Sequence, residues 1–509
     1  MAIKVNGTTA IDDSRGLTNI ASIDATTATA ITNAGVGGGG STFEATASGA
    51  LANGDLVVLN SDGTVSVVEG TTYSQSVGTA TIYETDAVGF VDAAYDSNSD
   101  RVVVVYHDQD NSYYGTAAVG TVSGTSISFG TPVVFYSGVA YPAITYDANA
   151  QKVVIAWRAG GNSGRARVGT VSGTSISFGT ENTWVSDDVA DVGITYDSNA
   201  QKVVVVYRDS SNSSKGTARV GTVSGTSISF GSASAFSSGR ADLLSPSAIT
   251  YDSDAQKVIV GYQDDANSDY GTGVVGTVSG TSISFGTPVV FRSSLTTSIG
   301  VGYDQNAQRV VVAIRDQGSG GIGKAIVGTV SGTSISFGTG YNLGLASLND
   351  VNVAYHPPSQ KVIITYDQSG GKLELGTVSG SVISLSAAVS FESGAVNFTR
   401  PVYDSGSKRI VIAYEDDSNG DRGTAVVFTP AFTDTNLTAD NYKGISDGAY
   451  SNSATATIQT IGIVDDAQSG LTAGQAYYVQ KNGTLGTTPD DPSVFAGTAV
   501  SATEIIVKG

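Results

Sequence analysis

Ile194-Thr-Tyr-Asp-Ser-Asn-Ala-Gln-Lys-Val-Val-Val-Val-Tyr207 decides how this chain is read. It spells a strand, a tight polar turn and a second strand. The valine run lacks polar alternation, so it needs burial on both faces. Asp197, Ser198 and Asn199 carry side chains that bond their own backbone in a turn. The pattern recurs with its tyrosine at Tyr95, Tyr146, Tyr196, Tyr251, Tyr303, Tyr355 and Tyr403. A period of roughly 50 residues with four strands per unit is the signature of a β-propeller, and seven units predict seven blades.

A second hairpin follows in most units: Val-Gly-Thr-Val-Ser-Gly-Thr-Ser-Ile-Ser-Phe-Gly from Val119, Val168, Val220, Val275 and Val327, with a weaker copy over 375–385. Its Ser-Gly pair is a two-residue turn in which glycine takes positive φ. Seven Tyr-Asp hairpins against six Ser-Gly hairpins leave the last unit one strand short. The segment 77–83, upstream of the first Tyr-Asp hairpin, is the spare strand. It should pair with 425–428 and close the ring, so that the chain enters and leaves the array at the Ser-Gly end.

The flanks hold a different pattern. Leu51-Ala-Asn-Gly54-Asp-Leu-Val57-Val58-Leu-Asn-Ser-Asp-Gly63-Thr64-Val65 matches Leu471-Thr-Ala-Gly474-Gln-Ala-Tyr477-Tyr478-Val479-Gln-Lys-Asn-Gly483-Thr484-Leu485 at equal offsets. Companion segments around Tyr442–Ser446 and 495–501 match in the same order. The expected organisation is therefore an arm with a glycine linker over 1–40 and a discontinuous, duplicated small β domain over 41–70 and 431–509. The propeller, 71–430, is inserted into that domain. Within the arm, Asp12, Asp13 and Ser14 could cap a short helix through Ile23; the other reading is an arm that orders only on a partner.

Composition narrows the function. Of 509 residues 14% are charged, 64 are glycine, and the net charge is −20. Such a field repels nucleic acid and anionic membrane, so neither is an expected partner. No apolar run reaches membrane-spanning length, and the start has no signal-peptide core. The expectation is a soluble chain that is not exported by that route. There is no cysteine, and His107 and His356 are the two histidines, which leaves little for thiolate or histidine metal sites or histidine catalysis. The acidic loops at Asp108–Asp110, Asp264–Asp265 and Glu415–Asp417 have no fixed ligand spacing and read as solvated turns rather than Ca²⁺ sites. No cofactor, metal or catalytic residue is assigned.

The two ends of the units differ. The turns Asp-Ser-Asn-Ala-Gln-Lys and Ser-Gly-Thr-Ser repeat almost unchanged, while the opposite loops vary from unit to unit. Those loops supply the candidate ligand-binding residues Tyr136, Tyr141, Arg158, Trp184, Arg208, Arg240 and Arg292. Loops on a rigid scaffold are where binding is built, and aromatic and Arg side chains stack on sugars or anchor interfaces. Drift in an unconstrained loop explains any single member as well; the asymmetry between the ends is the stronger evidence.

The leader Met1-Ala-Ile-Lys-Val-Asn-Gly-Thr-Thr-Ala-Ile-Asp-Asp-Ser-Arg-Gly-Leu-Thr-Asn-Ile20 resembles the starts of tailed-bacteriophage fibre and other virion proteins, particularly of aquatic phages. The segments 45–65 and 470–479 and the repeats resemble modules of the same group. The resemblance implies a virion component, a tail fibre or a capsid fibre or decoration protein, that adheres to the host; the scarce histidines and absent catalytic motifs make it a non-enzymatic one. Its implied partners are other virion proteins through the N-terminal arm and a host-surface glycan or protein. Homo-oligomerisation, with the trimer favoured, is common in the group. The alternatives are a glycan-cleaving propeller enzyme and a ligand-free spacer. The sialidase-type Ser-x-Asp-x-Gly-x-Thr-Trp turn is absent, and nothing nominates a carboxylate pair for glycoside hydrolysis.

Overall fold

The computed structural model describes residues 3–5, 8–11 and 42–508. Ile3–Val5 and Thr8–Ile11 pair as a small antiparallel hairpin. The candidate helix after Asp12 and the glycine linker fall outside the described residues. The chain divides into two compact units, Met1–Tyr73 with Thr433–Gly509, and Ser74–Phe432. Regular structure in both is strand, interrupted in the second by single 3₁₀ turns such as Ser210–Asn212.

The discontinuous unit holds two five-stranded antiparallel sheets of matching order. One runs Thr42–Thr46, Thr455–Gln459, Tyr442–Ser446, Leu56–Leu59, Val65–Val67; the other runs Val464–Asp465, Ile505–Val507, Val494–Ala499, Ala476–Val479, Leu485–Gly486. Their hairpin turns are built alike. Thr64 donates its N–H (3.0 Å) and hydroxyl (2.7 Å) to Asp62, and Thr484 donates the same pair to Asn482 at 3.2 and 2.7 Å. One apolar core draws on both sheets, with Leu56, Val58 and Ile445 packed among Tyr477, Val479 and Ile505.

The larger unit is a succession of seven antiparallel repeats. In the third, Val189–Asp197, Lys202–Asp209, Lys215–Ser224 and Ser227–Phe230 pair in that order. Val203 to Val206 are fully buried, as an unalternated run requires, and each such valine contributes about 1.5–3 kcal/mol relative to exposure. The Ser-Gly turn glycines, from Gly124 to Gly380, all have φ near +60°. After each such hairpin the chain returns as a link strand, Val133–Tyr136 or Asn182–Val185 for example, along the other half of the third strand. In places this link runs unbroken into the next repeat, as in Val289–Asp304, so neighbouring repeats share a sheet.

Each first strand lies beside that of the following repeat, and the seventh, Val396–Asp404, lies beside Thr81–Asp96 of the first. A cavity of about 380 Å³ between them is lined by Ala93, Ile144, Ile194, Ile249, Val301, Val353 and Val402, one residue from every repeat. The spare strand is found where the repeat count places it. Val77 pairs with Phe428, Thr81 with Ala425 and Ile82 with Thr424. Ser76 pairs with Thr429, which puts both ends of the array at the Ser-Gly end.

The recurrent residues hold one repeat to the next. Asp197 Oδ1 accepts the Ala200 N–H at 2.8 Å within its own turn. The motif tyrosine reaches the turn of the preceding repeat: Tyr196 Oη accepts from Asn149 N (3.2 Å), Tyr251 from Asn199 N (3.3 Å), and Tyr95, in the first repeat, from Gly406 N (3.0 Å) in the seventh. The glycine that ends five of the six Ser-Gly hairpins allows a second seam. A Cβ at Gly130, Gly179, Gly231 or Gly286 would lie 1.8–2.0 Å from a carbonyl oxygen in the next repeat's turn; at Gly78 it would lie 1.8 Å from that of Thr125.

The sixth repeat substitutes His356 for the turn aspartate. Its Nδ1 accepts the Ser359 N–H at 3.1 Å, so the neutral ring carries its proton on Nε2 and donates it to the Lys408 carbonyl at 3.0 Å. Burial pushes His356 down to about 4 from 6.5. Below pH 6.5 the unfolded chain therefore takes up a proton that the folded chain refuses until about pH 4. Stability should fall across that window by up to about 3 kcal/mol. In His356→Asp the melting temperature should drop less between pH 7 and pH 4.5 than in the parent; equal drops would deny this histidine the acid sensitivity.

Candidate functional site

At the end opposite the Ser-Gly turns the first strands share one irregularity. Five residues before the motif tyrosine, the pairing with the second strand slips and the backbone turns left-handed. Phe90, Tyr141, Asp191, Ser298, Asp350 and Phe398 all have φ between +50° and +53°. Bulges of this kind re-aim a side chain, and left-handed non-glycine residues mark sites where the surroundings impose the conformation. In the fourth repeat the position is Pro246, whose ring forbids positive φ. There the strand breaks between Asp242 and Ile249, and Leu244 takes the left-handed angle (φ 64°) instead.

All of these but Ser298 line a cavity of about 250 Å³, Phe90, Tyr141, Asp191, Asp350 and Phe398 standing there with Arg400 and the 244–246 loop. The Phe90 ring lies 4.7 Å from Tyr141 and 5.3 Å from Phe398, centroid to centroid. Arg400 is 3% exposed. Its guanidinium stands 3.6 Å from Asp92 and 3.8 Å from Asp350, close enough for attraction but too far for hydrogen bonds. One N–H donates to the Thr399 carbonyl at 2.8 Å, and Nε has no hydrogen-bond partner. A buried arginine with unspent donors is an unusual expense unless something else accepts from it.

Burial raises Asp92 to about 6, opposed by Arg400 and by the Ile144 N–H at 2.9 Å. Burial likewise raises Asp350 against the pull of Arg400, and Asp191 against that of Arg208. The mouth thus combines aromatic faces, carboxylate acceptors and guanidinium donors. Among the described residues no cluster of carboxylates and histidines suits a metal ion.

The residues singled out from the sequence scatter around this cavity. Tyr141 lines it. Arg158 lines a second hollow of about 320 Å³ between the first and second repeats, with His107, Tyr113 and Asn162. Arg208 braces the mouth from behind, 3.1 Å from Asp191 and 2.7 Å from Asp242, and Arg240 is 3.0 Å from the same Asp242. Arg292 is bound elsewhere, 2.6 Å from Asp316. Tyr136 is half-buried with its ring 5.3 Å from Trp157.

Trp184 must be corrected. The link carrying it is a strand rather than a loop, and Trp184, 4% exposed, lies over Gly164 with its ring against Tyr207 at 4.8 Å. Tyr83, Phe135, Phe236, Phe291 and Phe391 fill the same position over Gly423, Gly115, Gly216, Gly271 and Gly371. It is a core residue. Trp184→Phe should cost about 1 kcal/mol and leave ligand binding unchanged; lost binding without lost stability would return it to the site.

The candidates read from the sequence do not include Phe90, Asp191, Asp350, Phe398 or Arg400. The available signal for the first four was their fixed distance from the motif tyrosine.

No protein-family model matches this chain, and no curated protein sequence does. Solved structures resemble it. The BP39L lectin from Burkholderia pseudomallei aligns with a TM-score of 0.51 at 11% identity, covering 70% of this chain and 99% of that one. The SapL1 lectin, solved in complex with alpha methyl fucoside, aligns at 0.38 and 16% identity over 60% of this chain and 97% of its own. Saccharomyces cerevisiae Sqt1 aligns at 0.42 and 10% identity, covering 70% and 100%. At these identities the likeness to the Burkholderia lectin is one of fold.

Proposed function

We propose that the larger unit is a closed, seven-bladed β-propeller that binds a glycan at its axial mouth without cleaving it. The observation that carries this reading is the bulge shared by six of the seven repeats, which brings three aromatic rings to one cavity beside the under-bonded Arg400. A sugar ring offers a C–H face that packs on an aromatic face, and hydroxyls that both donate and accept. Adjacent hydroxyls would give a hydrogen bond to the Asp350 carboxylate and take one from Arg400, which no apolar ligand does. Ring closure is supported by the pairing of 76–82 with the seventh repeat and by the Tyr95 bond to Gly406.

The wider setting we infer is a virion appendage, by the leader's resemblance to phage fibres: an N-terminal arm toward other virion proteins, a trimeric assembly, and a receptor-binding face toward the host. Immunogold labelling of particles tests the setting, and absence of label from the virion rejects it. Binding is tested on a printed glycan array. Wild type should bind a restricted set, and Tyr141→Ala or Phe398→Ala should weaken that binding by about tenfold or more at unchanged melting temperature. Release of new reducing ends from a bound glycan would make the protein an enzyme instead.

A further inference from the structure

The axial mouth does not end at its own wall. From Phe398 the rings continue to Phe90 (5.3 Å), on to His107 (4.8 Å, edge to face) and on to Tyr113 (5.5 Å). His107 and Tyr113 line the second hollow, so the rings link two cavities that share the strand Val139–Asp147: Tyr141 faces one, and Val139 and Ala140 the other. Tyr113 at the far end is 55% exposed, on a left-handed backbone (φ 59°), an apolar face held open to solvent. His107 is buried and pushed down by that burial, so the ring is neutral at ordinary pH; its Nδ1–H donates to the Val139 carbonyl at 3.3 Å.

The track has one direction. The remaining bulge positions hold Asp191, Pro246, Ser298 and Asp350, with no aromatic ring among them. Polar groups stand at both ends, Asp350 and Arg400 at the axis, Arg158 and Asn162 in the outer hollow.

Resting on the glycan-binding reading above, we propose that the ligand is an extended, uncharged oligosaccharide of at least three sugars. It lies from the axial mouth across Phe90 and His107 into the groove between the first and second repeats. A single terminal sugar would fill the mouth and leave the outer rings and Arg158 unused. A net charge of −20 disfavours a polyanionic strand.

The test prints gluco-, manno- and galacto-oligosaccharides of one to six residues and compares wild type with Tyr113→Ala and Phe398→Ala. Wild type should hold the hexamer of its preferred series at least about tenfold tighter than the monomer. Tyr113→Ala should bring the hexamer down to the affinity of the monomer, while Phe398→Ala should weaken every length. Equal affinity at all lengths, or a Tyr113→Ala protein that keeps the gain with length, overturns the track and leaves the glycan reading standing. Binding to no member of the array, with none to printed host-envelope polysaccharide either, overturns both.

Discussion

Tyr83→Ala should destabilise the repeat array by about 3–5 kcal/mol and convert part of the protein into oligomers. Tyr83 precedes the first Tyr-Asp hairpin, yet it fills the core position of the seventh repeat. It is 5% exposed, and an added Cβ on Gly423 would lie 2.3 Å from its ring. The ring also lies 5.3 Å from Tyr106 and 5.4 Å from Phe129 of the first repeat. One apolar cluster joins Val102, Val104 and Ile127 of the first repeat to Val411, Ala425 and Val427 of the seventh through this side chain. Its loss leaves a cavity at the seam and loosens Thr81–Asp96, which with Ser76–Val77 covers the edge of Arg422–Thr429; that edge then offers unpaired backbone to another chain. Phe236→Ala is the control. It empties the same position inside a repeat whose strands are contiguous in sequence, so it should destabilise comparably without oligomers. Denaturant melts and size-exclusion profiles of the two variants decide it: identical profiles would mean that the seam is no weaker than any other.

The second large effect is at Arg400. Arg400→Leu should cost about 3–5 kcal/mol near pH 8, because removing one partner strands the buried carboxylates of Asp92 and Asp350. It should also abolish glycan binding. The loss of stability depends on pH with a definite sign. Asp92 is already at about 6 with Arg400 present, and without that charge it goes higher. The folded variant therefore binds protons that the unfolded chain, with ordinary carboxylates, does not, and its stability rises as pH falls from 8 toward 5. The gap to wild type should narrow over that interval. A gap independent of pH would show that the guanidinium acts by packing alone.

What the sequence made legible was local or counted. The Asp197 turn, the positive-φ glycine of the Ser-Gly hairpins and the buried valine runs each follow from a few adjacent residues. The pairing of 77–83 with the last repeat followed from a count, since a repeat without its fourth strand leaves an unpaired edge. The candidate site was harder for two physical reasons. Trp184 lies on a link between repeats that the sequence presents as a loop, whereas the link forms a strand whose inner side packs over a glycine. Phe90, Asp191, Asp350 and Phe398 share a backbone conformation but mix two aromatic rings with two carboxylates, so a search for one recurrent residue type passes over them. The pairings of Arg208 with Asp242 and of Arg292 with Asp316 join residues 34 and 24 positions apart, and no motif announces them.

The strand that pairs with the last repeat also sets a schedule for synthesis of the array. Residues 76–87 leave the ribosome early, but their partners in Arg422–Thr429 follow more than three hundred residues later. At about 5–20 residues per second that wait lasts some tens of seconds. Throughout it, the first part of Thr81–Asp96 has no partner from its own chain. Neighbouring ribosomes on one message carry identical strands at staggered stages, so the same pairing can form between two nascent chains. A protein built this way should depend on widely spaced ribosomes or on a holding chaperone for its yield, however stable the finished molecule is.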